Sequence, residues 1–135
     1  MKKSLDILDT NILIRFLTND TPEQAAVIEG FFKKAAPKTL IVPDMVVAEV
    51  IFVLLSFYDL SKAEVVDKLQ ALVSYEKFKI NRILMQKALD VFSSNSISFV
   101  DAYLVALASA QGPGVLRTFD KRLLKLNGVT VSKPE

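Results

Sequence analysis

A three-layer α/β/α sandwich around a central, mostly parallel five-stranded sheet is the fold class this sequence predicts, and three observations carry that prediction. Five short apolar runs alternate with segments whose apolar residues recur at helical spacing, the pattern of an α/β protein. Each run is separated from the next by enough chain for a helical crossover, which a parallel pairing requires. The chain has 135 residues, 51% of them hydrophobic, enough for one core and too few for two ordinary ones, so residues 1–135 read as a single domain.

The elements follow in order. Leu5 to Leu8 reads as a strand ended by Asp9-Thr10-Asn11, after which Ile12, Leu13, Phe16 and Leu17 recur at helical spacing. Thr21 and Pro22, with Gln24 three residues after the Thr, predict a capped helix running towards Ala36 with Val27, Ile28, Phe31 and Phe32 on its core face. Leu40 to Val42 is a second strand stopped by Pro43, and a helix follows from Asp44 to about Tyr58. Ser61 and Glu64 form a capping box ahead of Val65, Leu69, Leu72 and Val73. Phe78 to Ile80 is a third strand, and Asn81 is placed to cap a helix carrying Leu84, Ala88, Val91 and Phe92. Ser98 to Ala110 is a nearly apolar helix that stops at Gln111-Gly112-Pro113-Gly114. Val115 to Phe119 is the fourth strand, Lys121 to Leu126 a short helix and Val129 to Val131 the last strand.

Composition narrows the chemistry. Seventeen basic residues against fifteen acidic leave a net charge of only +2, so any contact with nucleic acid is local rather than spread over the surface. The absence of Cys excludes disulfides and thiolate chemistry, and the absence of His removes the commonest general base. Carboxylates remain. The N-terminus lacks the apolar core of a signal peptide, which predicts a cytoplasmic protein. The most hydrophobic window, Met45 to Leu55, falls short of the roughly 20 apolar residues that span a bilayer and reads as a buried helix.

Four acids stand out. Asp9 and Asp120 each follow a strand, where ligands bind in open parallel sheets and where an Asp also serves as a helix cap. Glu49 is the one acid in the Met45 to Leu55 window, so burial there demands a basic partner, a metal or a reacting proton. Asp101 interrupts another apolar helix, and because Ser98 is the better cap, Asp101 falls in the first turn, where the helix dipole favours negative charge. Carboxylates gathered at one sheet edge repel one another unless a cation sits among them, and oxygen-rich sites suit Mg²⁺ or Mn²⁺.

Leu8-Asp9-Thr10-Asn11, Glu49, Ser98-Phe99-Val100-Asp101-Ala102 and Thr118-Phe119-Asp120, taken in that order, resemble the four acidic motifs of the PIN-domain family, and the small size resembles its VapC-type toxins. The resemblance covers essentially the whole chain. It implies a ribonuclease in which Asp9, Glu49, Asp101 and Asp120 hold Mg²⁺ or Mn²⁺ and Asn11 and Thr118 support the site by hydrogen bonds. It further implies RNA as substrate, products with 5′-phosphate and 3′-hydroxyl ends, a homodimer, and a small VapB-type antitoxin covering the active site. One departure is that Lys121-Arg122-Leu123 follow Asp120 where many relatives carry another acid and an aromatic, which adds positive charge for phosphate. Arg15, one turn after Asn11, is placed to meet phosphate or an antitoxin carboxylate, or to pair with Asp20. Phe16, Phe52 and Phe57 read as core or dimer contacts.

Two other classes remain open. A haloacid-dehalogenase-like phosphatase also begins with an Asp after its first strand, but its usual second Asp two residues on is Asn11 here. A non-catalytic binding module would use Asp9, Asp101 and Asp120 as caps and pair Glu49 with Arg15 or another base.

Overall fold

Three strands, β1 (Asp6–Ile7), β2 (Leu40–Ile41) and β3 (Phe78–Lys79), lie side by side in that order, all parallel, in the computed structural model, which describes residues 4–112, 114–126 and 130–135. Asp6 stands opposite Leu40 and Ile7 opposite Ile41, while Leu40 and Ile41 face Phe78 and Lys79. The hydrogen bonds run one residue past the strands, with Leu8 N–H donating to the Ile41 carbonyl and Val42 N–H to the Lys79 carbonyl, both at 3.0 Å. Beyond these last bonds the chain turns into helices. The chain divides into two compact units, Met1–Arg82 and Ile83–Glu135, and this sheet belongs to the first.

Parallel pairing forces the chain to return through helices. From β1 it passes through α1 (Thr10–Leu17) and α2 (Pro22–Lys34) to β2, and from β2 through α3 (Asp44–Ser56) and α4 (Lys62–Ser74) to β3. The core of this unit is built on Leu13, Leu40, Val47, Val50, Leu54, Val65 and Leu69, all buried. An aromatic cluster closes it: Phe32 meets Phe78 edge-on with ring centroids 5.2 Å apart, and Phe16 and Tyr75 pack against the same pair. Such edge contacts add about 0.5–1.5 kcal/mol each beyond area burial. The expected Ser61–Glu64 capping box is formed in both directions.

Several expectations are corrected. On α2 only Ile28 and Phe32 are buried, whereas Val27 and Phe31 are exposed, because an outer helix packing along one side buries a seam four residues apart and turns the adjoining positions to solvent. Thr21 precedes Pro22 as expected but makes no side-chain cap bond. The α3 helix is not buried all round: Val47, Val50, Ile51 and Leu54 face inward, while Met45 and Phe52 are exposed, as is Phe57 just after the helix. No described helix is long and apolar enough to cross a membrane.

The second unit holds most of α5 (Arg82–Ser94), then α6 (Phe99–Ala110), β4 (Leu116–Arg117), α7 (Lys121–Leu124) and β5 (Val131–Ser132). Its strands pair in parallel, Leu116 opposite Val131 and Arg117 opposite Ser132. The five expected strands are therefore present and their pairings parallel, but they divide into a three-stranded and a two-stranded sheet rather than one. Each ladder is two residues long and offers little edge on which a further strand could register. The last strand sits at Val131–Ser132, one step beyond the expected run, whose first residue Val129 lies outside the described residues. Phe92 and Phe99 meet edge-on at 5.8 Å, fastening α5 to α6.

The expected stop after α6 has a steric basis at Gly114, where a Cβ would lie 2.1 Å from the Ala108 carbonyl oxygen. Gly112 has no such conflict, its nearest neighbour being 3.7 Å away. Gly114→Ala should therefore lower the unfolding free energy by about 1–3 kcal/mol through overpacking against backbone, with Gly112→Ala much closer to neutral, as read by urea denaturation.

Candidate acidic site

The carboxyl end of β1 delivers Asp9 directly into the N-cap position of α1. Its backbone is extended, and Ile12 N–H donates to Asp9 Oδ1 at 3.0 Å. This bond satisfies one of the orphan donors at the helix start, which is why α1 begins at Thr10 rather than after Asn11. The cap uses only one carboxylate oxygen. Asp9 remains exposed, as does Asn11 in the first turn.

The neighbouring strand supplies the second acid. Val42 ends the β2 ladder, Pro43 takes the N-cap position of α3, and Glu49 follows in the second turn of that helix. Because α1 and α3 start at adjacent strand ends and pack together, their first turns meet. Asp9, Thr10, Asn11, Val46, Glu49 and Val53 line one open pocket of about 500 Å³. Glu49 is exposed, so the expected burial penalty does not arise: it occupies the solvent-facing stripe of α3 between Met45 and Phe52. Its partner is neither Arg nor Lys but the Thr10 hydroxyl, which donates to Glu49 Oε1. Thr10 is thus a site residue that sequence reasoning missed. Its signal lay inside the Asp9-Thr10-Asn11 run, but which side chain it meets depends on the packing of α1 on α3.

In the second unit Ser98 caps α6, accepting from Asp101 N–H at 3.1 Å, and leaves the half-buried Asp101 in the first turn, as expected. Asp120 repeats the local structure of Asp9: it follows β4, caps α7, and accepts from Arg122 N–H at 2.8 Å. That backbone donor, with the Arg122 guanidinium 3.5 Å from Oδ2, holds the Asp120 carboxyl below its ordinary range. Thr118 accepts from Asp120 N–H at 3.0 Å and so fixes the turn that presents the acid. Arg122 is drawn to Asp120, and Lys121 is exposed beside it. Within neither unit do three acids of the described residues form a group arranged to hold a metal; Asp9 and Glu49 come together as a pair.

Arg15 lies on the same face of α1 as Asn11, one turn further on, and does not pair with Glu49. Its Nε donates to Gln24 Oε1 of α2 at 3.0 Å, and its Nη1 stands 3.9 Å from Asp20 Oδ2. Gln24, expected to complete a cap with Thr21, is instead the anchor of this guanidinium. Asp20 is itself held by the Tyr58 hydroxyl at 2.6 Å and by the Thr18 hydroxyl at 2.9 Å. Of the three expected aromatic contacts, Phe16 is half-buried and packs edge-on against Phe32, while Phe52 and Phe57 are surface residues.

Parallel strands whose carboxyl ends lead into acid-bearing helices define an α/β protein with a candidate acidic site. Its family is shown by sequence: the PIN domain family profile matches residues 7–129, and the chain belongs to that family. No curated protein sequence matches significantly. Among solved structures the chain is similar to VapC20 of Mycobacterium tuberculosis, a sarcin-ricin loop cleaving toxin, at 16% identity and a TM-score of 0.44 over 97% of this chain and 100% of that one.

The Asp20 cluster has a pH consequence. The Tyr58 hydrogen bond first, then that of Thr18, lowers the Asp20 pKa from its ordinary 3.8. A depressed carboxylate contributes stability that is present above the unfolded value and lost as pH falls through the folded one. Tyr58→Phe should move the Asp20 pKa up towards 3.8, lower the melting temperature at neutral pH and flatten its fall on the acid side, read by NMR titration of the carboxyl carbon and by thermal melts from neutral to acid pH.

Proposed function

We propose that this chain is a divalent-metal-dependent ribonuclease of the VapC toxin type, with residues 1–135 acting as a single PIN domain. The observation that carries the reading is the Asp9–Glu49 pair in one open pocket at the carboxyl edge of the sheet, in a chain whose PIN match spans residues 7–129. Asp101 and Asp120 complete the acid set, with Asn11 and Thr118 in support. The donor chemistry fits a hard cation: carboxylate oxygens, no His or Cys, and a cap bond that engages only one oxygen of Asp9. A bound Mg²⁺, or Mn²⁺ in its place, would supply an activated water and offset charge on the leaving oxygen of a phosphodiester.

The protein's own residues do the placing. Asp9 is held by the α1 backbone, Glu49 by the Thr10 hydroxyl, and Asp120 by the turn that Thr118 closes. Lys121 and Arg122 add positive charge beside Asp120 for the RNA backbone. The reading includes a cytoplasmic homodimer and a small VapB-type antitoxin over the site. Exposed Met45 and Phe52 on α3, together with Phe57, are apolar surface suited to such protein contacts.

The caps favour a second reading, in which Asp9 and Asp120 only start helices. Asn caps a helix about as well as Asp but carries no charge, so Asn variants separate the two. Total cellular RNA incubated with the purified protein should be cut at discrete sites with Mg²⁺ or Mn²⁺ and left intact with chelator. Asp9→Asn and Asp101→Asn should melt near the wild-type temperature yet lose about 100-fold or more of that cleavage. Thr10→Val, which removes the Glu49 contact, should weaken divalent-ion binding by about 10- to 100-fold, with Thr10→Ser close to wild type. Undiminished cutting by folded Asp9→Asn protein would leave the capping reading standing.

A further inference from the structure

The acidic pocket does not end at Asp9. Asp9 and Asn11 also line a second cleft of about 550 Å³ between α1 and α2, which continues along α1 to Arg15 and is walled by Glu23, Gln24 and Val27 of α2. Arg15 is the cationic side chain among its lining residues. The arginine is half-buried, with 30% of its side chain exposed, and is held in place rather than extended into solvent. Gln24 fixes Nε at 3.0 Å, and Asp20 stands 3.9 Å from Nη1. Among the described residues Nη2 has no protein partner. Asp20 offsets the guanidinium only in part, since the two meet at the limit of an ion pair and in solvent.

We propose that this cleft is a subsite for a backbone phosphate of single-stranded RNA flanking the bond to be cut, contacted by Arg15, with Gln24 as its positioning residue. The proposal rests on the ribonuclease reading. A planar guanidinium clamped at Nε keeps its outer edge for two parallel bonds to phosphate oxygens, and holding it beforehand reduces the side-chain entropy lost on binding. Arg15 lies four residues beyond Asn11, about 6 Å along the helix axis, on the order of one nucleotide step of an extended single strand. A strand lying at Asp9 therefore carries a neighbouring phosphate to Arg15. The carboxylates of Asp9 and Glu23 would otherwise repel that phosphate, so the arginine also determines which way out of the acidic pocket a strand can run.

The competing role for Arg15 is a clamp between α1 and α2, and binding measured beside stability separates the two. Affinity for a short fluorescent mixed-sequence RNA oligomer is measured by anisotropy in chelator across a salt series, with thermal melts of each variant. Arg15→Ala should weaken binding by about 10-fold or more and reduce the slope of log affinity against log salt by about 0.7. Arg15→Lys, which keeps the charge without the fork, should fall between Arg15→Ala and wild type. Gln24→Ala should weaken binding less than Arg15→Ala does and add nothing to it in the double variant, because its effect passes through Arg15. With Mg²⁺, Arg15→Ala should raise KM far more than it lowers kcat. An unchanged affinity, salt slope and KM beside a lowered melting temperature would make Arg15 a clamp and overturn the subsite while leaving the nuclease intact. Wild-type protein that neither binds RNA nor cuts it would remove the ribonuclease reading and the subsite together.

Discussion

Parallel pairing of β1, β2 and β3 is the constraint from which the candidate site follows. Neighbouring parallel strands cannot be joined by a tight turn, so the chain leaves each carboxyl end through a helix. Two adjacent strand ends thereby bring the starts of α1 and α3 side by side, and each helix start exposes backbone donors that need an acceptor. Asp9 meets that need at α1. Glu49, one turn and a half into α3, reaches the same place because Thr10 stands opposite it. Had the strands been antiparallel hairpins, neither acid would lie at a shared edge.

The same local chemistry recurs at β4, where Asp120 follows the strand, caps α7 and is steadied by Thr118. In both places an acid starts a helix through one oxygen; the second oxygen of Asp9 is left by the cap, while that of Asp120 meets the Arg122 guanidinium. Capping and ligand binding are therefore compatible roles for one carboxylate, and a cap holds its side chain in one rotamer before any ligand arrives. The helix start adds its own field, favouring negative charge at the point where the acid sits. This is a cheaper way to position a carboxylate than burying it: the described residues contain no buried charged side chain at all.

Much of this arrangement was legible in the sequence. The order of strands and helices, the Ser61–Glu64 box, the Ser98 cap and the stop after Ala110 were all readable, because each rests on residues within four positions of one another. The acids at residues 9, 49, 101 and 120 stood out because they interrupt or end apolar runs, and of these the structure brings Asp9 and Glu49 into one pocket. What misled was the assumption that an apolar helix is buried on every side: α3 turns Met45, Glu49 and Phe52 outward in one stripe. Gln24 misled for a related reason. Its spacing from Thr21 suits a capping box, but its amide is taken by Arg15, nine residues earlier and on another helix.

The sequence by itself determined the elements and the caps at Ser61 and Ser98, since these depend on backbone preferences and hydrogen bonds between near neighbours. Only the tertiary structure decided that Glu49 is exposed, that Thr10 is its partner, that Arg15 is held by Gln24 and Asp20, and that five strands divide as three and two. Each of those outcomes turns on which helix face packs against which neighbour. Periodicity shows that a helix has an apolar face, but the partner of a polar side chain on its edge is set by the distance and rotation of a second helix, to which no short stretch of sequence refers.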